Sequence, residues 1–441
     1  MYRYFENALV VNQGKAQYAN VLTKSNRIEA VSTEPLSDLP FGTERIDCGG
    51  LLLLPGVIDV HVHFRQPGME YKADMESESR AAIAGGVTTV LEMPNTNPAT
   101  TTIERLREKL SLAKEKMYCN YGFYFGLTND NCEQAKEVSR EDCCGLKLFL
   151  GSSTGNMLVN SEQSLENFFS IGDKVISAHC EDETIIRQNL ARYKSEYGDR
   201  ATASLHPLIR SNQACFKSSS FAVQMAQKHS AHLHVAHLST KEELSLFEQG
   251  DMKHKHITCE VSPVHLWFCD EDFAHYGNLI KCNPSVKTRQ DREALREALR
   301  TDKIDIIATD HAPHTWEEKQ KPYFEAPSGI PTLQHSLLVM LQLAKQNEIT
   351  LPQIVQKMAH NPADLFQIKD RGYIKKGYFA DFVLINPDKK TTISKENLFS
   401  KCAWSPFEGE TFDNKIVATY LNGEKVYENG QISTQKHGMK I

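Results

Sequence analysis

Eight short apolar runs, GVIDVHVHF, VTTVLEMP, YGFYFGL, GLKLFLG, VISAHC, HLHVAHL, ITCEV and IDIIATD, recur between residues 56 and 310. The stretches between them read as helices, TTIERLREKLSLAKEKM among them. Apolar runs that alternate with amphipathic helices are the pattern of parallel strands joined by crossover helices and covered by them. Eight such βα units predict a TIM-like (β/α)8 barrel, a fold whose reacting groups stand where strands end and the following loops begin.

The two ends of the chain read differently. Residues 1–54 and 371–441 carry short alternating strands broken by turn residues, as in ALVVNQGKAQYANVLTKSNRIEAV and IVATYLNGEKVYENGQI, and Asn422-Gly423 is a hairpin turn signal. Both segments are expected to meet in one small β-sandwich domain that flanks a catalytic barrel spanning 55–370. With a formal net charge of -6 the chain has no basic stripe for nucleic acid, and no apolar run approaches the ~20 residues that cross a membrane. Eleven cysteines include no C-x-x-C pair, and MYRYFENALV lacks a charged start followed by an apolar core. Reduced thiols in the cytoplasm are expected, with small molecules and sister subunits of a homodimer or tetramer as partners.

Side chains alternate along a strand, so Asp59, His61, His63 and Arg65 share one face of the first run, with Val60, Val62 and Phe64 on the other. The fourth run carries Lys147, the fifth ends in His179, the sixth in His237 and the eighth in Asp310. Singly, each has an ordinary reading: a buried histidine is usually a core residue with its hydrogen bonds made, and a strand lysine a salt-bridge partner. Together, four imidazoles, a carboxylate and an amine at one barrel mouth form a ligand set that suits zinc or a similar divalent ion. An ammonium beside a dication is repelled. Lys147 therefore fits only if carbon dioxide has converted its amine to an anionic carbamate, an oxygen ligand able to bridge two metals. By parity His232 and His234 lie opposite His237, and His311 points away from the metals. Ser239-Thr240-Lys241-Glu242 reads as a capping box that starts a helix directly after His237.

D-x-H-x-H, a lone lysine on the fourth strand, single histidines on the fifth and sixth and an aspartate on the eighth resemble the binuclear cyclic-amide hydrolases of the amidohydrolase superfamily. Within that group DVHVHFRQPGMEYKADME, LEMPNTNPATTT, KCNPSVK, TDHAPHT and MAHNPADLF are similar to segments of dihydroorotases. Arg65 separates the relatives, because allantoinases typically place an asparagine there and dihydropyrimidinases an apolar residue. The resemblance implies reversible, zinc-dependent cyclisation of N-carbamoyl-L-aspartate to L-dihydroorotate and water in de novo pyrimidine biosynthesis. It implies that His61, His63, carboxylated Lys147 and Asp310 hold one metal and Lys147, His179 and His237 a second, with a hydroxide between them. Asp310 is then general base and general acid in turn. The resemblance also places Arg65, Asn95 and His314 on the substrate carboxylate, Asn283 on the ring amide edge, and the backbone of Ser328-Gly329-Ile330 on the remaining polar atoms.

Departures from the family pattern qualify that picture. Val264 stands where many members have a histidine, and HPLIRSNQACF lacks the proline and glutamate common after its arginine. Ala236 replaces a cysteine that some members use for an additional metal, so two metals are expected, with Glu260 as a structural group or as a support for the metal ligands. Thr332, Gln334 and His335 replace glycine, glutamate and threonine, which predicts a ring-binding loop of altered detail. Another cyclic-amide hydrolase such as an allantoinase is opposed by Arg65 and Asn95. An inactive barrel scaffold, for example beside the carbamoyltransferase of the same pathway, is opposed by the complete ligand set. The segments GSSTGNMLVN and HTWEEKQKPYFEAPSG, after the fourth and eighth strands, are long enough to serve as lids.

Overall fold

The computed structural model describes residues 1–151 and 156–441. Eight parallel strands form one sheet: Val57–Val62, Val87–Glu92, Asn120–Gly126, Gly145–Phe149, Ile176–His179, Leu233–Val235, Ile257–Val261 and Ile306–Ile307. Each falls within one of the eight apolar runs, except that the third begins one residue earlier, at Asn120. Consecutive strands pair in order, and a parallel bridge from Val62 to His311, with His63 N donating to His311 O at 2.7 Å, closes the last strand onto the first. The first two strands are buried at every residue, as expected where both faces of a parallel sheet are covered.

A second sheet of nine strands, mostly antiparallel, is built from both ends of the chain. Tyr2–Asn12 pairs with Lys15–Lys24 and with Leu52–Pro55, and Leu52–Pro55 pairs in turn with Phe382–Asn386. Lys415–Leu421 and Glu424–Glu428 form the expected hairpin, with Asn422 and Gly423 at φ 52° and 81°. Positive φ at both central positions twists the turn to match its strands. Gly56 alone separates Leu52–Pro55 of this sheet from the first barrel strand. A Cβ there would lie 2.2 Å from Thr88 Oγ1, so only glycine fits.

Helices start where the sequence offers caps. Thr102 Oγ1 accepts from Arg105 N at the head of Ile103–Lys116, and Thr288 and Asp291 form a capping box for Arg289–Arg300. After His237 the outcome differs from the expectation of a helix capped by Ser239 and Glu242. The reciprocal pair is Thr240 with Glu243, and it opens only a short 3-10 turn, Glu243–Leu246. Glu243 is buried and shared between Ser219 and Thr240, which holds it in the box in place of exposed Glu242. Of the two segments expected as lids, the one after the eighth strand folds into the helical turn Trp316–Lys319 and an extended return. The one after the fourth includes residues 152–155, which lie outside the described residues.

Candidate active site

Three of the residues at the barrel mouth leave ordinary backbone space: Arg65, His237 and Asp310 have φ of 65°, 37° and 50°. Non-glycine residues pay about 1–3 kcal/mol for such a conformation, which persists when the surroundings enforce it. The turn at Arg65 matters because the first barrel strand ends at Val62. Strand alternation carries His61 and His63 toward the barrel axis, but the left-handed turn brings the guanidinium over the cavity.

His61, His63 and Asp310 offer ligand atoms that all lie within 4.8 Å of one another. His61 Nε2 and His63 Nε2 approach the same Asp310 oxygen, at 3.3 and 3.1 Å. Their outer nitrogens are committed elsewhere. His61 Nδ1 meets Glu260 Oε1 at 2.5 Å, and His63 Nδ1 meets Asn95 Oδ1 at 2.7 Å. Each outer nitrogen donates its proton to an oxygen, so both inner nitrogens are bare lone pairs facing a carboxylate oxygen. Acceptors turned on one another need a cation between them.

His179 Nδ1 and His237 Nε2 stand 2.9 Å apart, and His179 Nε2 is held by Glu181 Oε2 at 2.9 Å. Lys147 is fully buried, and neither its Nζ nor His237 Nδ1 has a hydrogen-bond partner among the described residues. Burial pushes the Lys147 amine down to about 8, which enlarges its neutral, nucleophilic fraction near neutral pH. An orphaned amine among imidazoles and a carboxylate suits conversion to a carbamate and metal binding, so the donor set fits two divalent ions.

The remaining candidates converge on the same cavity, a space of about 690 Å³ lined by the six ligand candidates and by Arg65, Asn95, Asn283 and His314. Arg65 donates through Nε to Pro313 O at 3.0 Å and has Nη2 3.1 Å from His314 Nε2. Asn95 reaches His63 through its carbonyl oxygen, which leaves the amide –NH2 as its donor toward the cavity. Asn283 Oδ1 lies 3.1 Å from His206 Nε2. Ser328 and Gly329 line the wall, but Thr332, Gln334 and His335 do not. Gln334 donates to Asn397 O, and His335 Nδ1 meets Ser405 Oγ. The expected alteration of a ring-binding loop therefore falls away from the cavity.

Several residues of this region escaped the sequence reading. Glu181 holds His179 and is itself clamped by Arg210, which also lines the cavity. Glu181 stands two residues past His179, where the strand has ended and parity gives no signal. Lys72 lines the wall beside His314 with no local signal at all. Glu260, by contrast, was expected as a structural group or a support for the ligands, and it meets His61 Nδ1, His234 Nε2 at 3.1 Å and His237 N at 3.2 Å. His311 turns away to Glu78, as parity indicated.

Residues 52–426 match the Amidohydrolase family, and the chain belongs to that family. It is a hydrolase of cyclic amides. A dihydroorotase from Halobacterium salinarum is 35% identical, the match covering 90% of this chain and 94% of that one. A dihydroorotase from Methanosphaera stadtmanae is 32% identical, with 86% of each covered. Among solved structures, the L-hydantoinase (dihydropyrimidinase) of Arthrobacter aurescens superposes with a TM-score of 0.94 at 26% identity, over 100% of this chain and 99% of that one. The D-hydantoinase of a Thermus species, at 22% identity and a TM-score of 0.90 over 99% and 98%, has the same fold.

Proposed function

We propose that the protein is a dihydroorotase, interconverting N-carbamoyl-L-aspartate and L-dihydroorotate in pyrimidine biosynthesis. The observation that carries this reading is the buried Arg65 guanidinium beside His314 and near Asn95 on the cavity wall, next to the imidazole–carboxylate cluster. A ring without a carboxylate has no use for a guanidinium desolvated at that position. The dihydroorotase relatives support the same choice.

His61, His63 and Asp310 would hold one divalent ion and His179 and His237 a second, with Lys147 as a carbamate shared between them. Bound there, zinc or a similar ion supplies a low-pKa water and a Lewis acid for the ring carbonyl. The protein's own groups do the rest. Glu260, Asn95 and Glu181 hold the outer ring nitrogens and fix which lone pairs face inward. Arg65, the Asn95 amide and His314 bind the unreactive carboxylate, placing the ring amide against the metal ligands. Asn283 and the backbone of Ser328 and Gly329 orient the ring edge. Asp310 takes the proton of the attacking water and passes it to the amide nitrogen as the C–N bond breaks. In the reverse direction the carbamoyl nitrogen loses a proton to Asp310, attacks the side-chain carboxyl carbon and expels water.

We assign residues 1–54 and 371–441 to a supporting domain and 55–370 to the catalytic barrel, in a cytosolic oligomer. The test is a zinc-loaded assay on carbamoyl-aspartate, dihydroorotate, allantoin and dihydrouracil. The carboxylated pair should be turned over, and Arg65→Ala should raise its KM about 30-fold, the loss of about 2 kcal/mol from a charge-assisted contact. Turnover of allantoin or dihydrouracil in preference to the carboxylated pair would overturn the proposal.

A further inference from the structure

Lys72 lies in the loop between the first barrel strand and the helix Met75–Ala84. Its Nζ is 2.9 Å from His314 Nδ1 and 3.1 Å from Glu318 Oε1. Glu318 is itself fixed, because its other oxygen accepts Thr315 N at 3.0 Å in the capping box of Trp316–Lys319. An ammonium offers protons and no lone pair, so Nδ1 of His314 is the acceptor and the ring proton sits on Nε2. The alternative partner for a proton on Nδ1, Glu318 Oε2, is 3.6 Å away and out of hydrogen-bond reach.

The consequence appears on the cavity side. His314 Nε2–H faces Ser328 O at 3.0 Å and Arg65 Nη2 at 3.1 Å. Arg65 Nη2 is also a donor with no acceptor capacity. Two donors thus stand side by side, the Nε2–H resting on Ser328 O, and an arriving carboxylate can share that proton while accepting from Arg65.

We propose that Lys72 is a positioning residue for substrate recognition: by donating to Nδ1 it holds His314 as the Nε2–H tautomer, so that His314 and Arg65 offer adjacent donors to the substrate carboxylate. This inference rests on the carboxylate reading of Arg65. Without Lys72 two opposed neighbours of Nε2 remain, Ser328 O favouring the proton there and Arg65 Nη2 favouring its transfer to Nδ1. After that transfer Nε2 accepts from Arg65, and the two groups occupy each other. Burial, reinforced by Arg65, pushes the His314 imidazole down to about 3, so the ring stays neutral at working pH and its tautomer decides what it offers.

The experiment compares zinc-loaded wild type, Lys72→Met, Lys72→Arg and Arg65→Ala, using steady-state kinetics on dihydroorotate. Alongside, imidazole 15N NMR follows His314, with its signals identified by difference from His314→Gln. Lys72→Met should raise KM about tenfold while kcat changes less than about threefold, as for one lost charge-assisted hydrogen bond. The same variant should move the His314 proton from Nε2 to Nδ1, and Lys72→Arg, which keeps a cationic donor, should restore both. If Lys72→Met keeps the Nε2–H signal and a KM within about twofold of wild type while Arg65→Ala raises KM, the role of Lys72 is lost and the carboxylate reading stands. An unchanged KM in Arg65→Ala removes both. Should Lys72→Met fail to fold, the wild-type spectrum decides, because a proton on Nδ1 there overturns the proposal.

Discussion

At the floor of the barrel, Arg371 donates to Asp381 and, at 2.8 Å, to Asn422 Oδ1, while Asp381 Oδ1 accepts Asn422 N at 2.6 Å and Asn422 Nδ2 reaches Asn120 Oδ1 at 2.9 Å. At the mouth, Lys147 Nζ and His237 Nδ1 are equally buried and have no partner among the described residues, and His61 and His63 turn lone pairs toward a carboxylate. Both regions are polar and buried. At the floor the protein matches its own charges and amides, and none of these side chains is among the buried groups without a partner, whereas the mouth keeps groups that the described residues leave unmatched. A buried polar group left unmatched costs about 1–3 kcal/mol, so its retention marks function and not stability.

The largest effect should come from the mouth. Asp310→Asn should lower kcat about 10³-fold, the scale of a lost general base, and chelation of the loaded enzyme should abolish turnover until zinc returns. Retention of turnover after complete chelation would break the contrast at its root. At the floor, Arg371→Met strands a buried carboxylate and should cost about 3–5 kcal/mol in urea unfolding, with kcat/KM of the folded fraction unchanged. Lys147→Met sharpens the comparison because its effect on stability has the opposite sign. It should be inactive, yet raise the Tm of the metal-free protein, by about 1–3 kcal/mol of stability, since it replaces an unsatisfied ammonium by an apolar chain of similar length. Zinc should raise the Tm of wild type and scarcely that of this variant. A lower Tm for metal-free Lys147→Met would show that the lysine is structural after all. The smallest effect belongs to Gln334→Glu, which should lose about 1 kcal/mol with the Asn397 contact while KM stays within about twofold, because that side chain faces away from the cavity.

These regions also differ in how far the sequence announces them. The eight barrel strands were legible because parallel strands buried on both faces are near-continuous apolar runs, and a histidine, lysine or aspartate at the end of such a run has no camouflage. Parity then aligned His61 with His63 and turned His311 aside. It had less to say beyond Val62, where a left-handed turn directs Arg65. It had nothing to say about Lys72, Glu318 or Arg210, whose partners lie far along the chain and are met only when loops fold across the mouth. The expectation for Thr332, Gln334 and His335 fails for the same reason, since position in a loop does not reveal which way a side chain leaves it.

Gly56 gives the scaffold an engineering limit. His61 is five residues from it, and the strand before it is hydrogen-bonded on both sides within the smaller sheet. The barrel itself cannot be excised at this junction. A polypeptide begun at residue 57 would leave the strand that carries His61 as a frayed terminus, with the Gly56 N to Asp381 O bond at 2.9 Å and the rigid lead-in both removed.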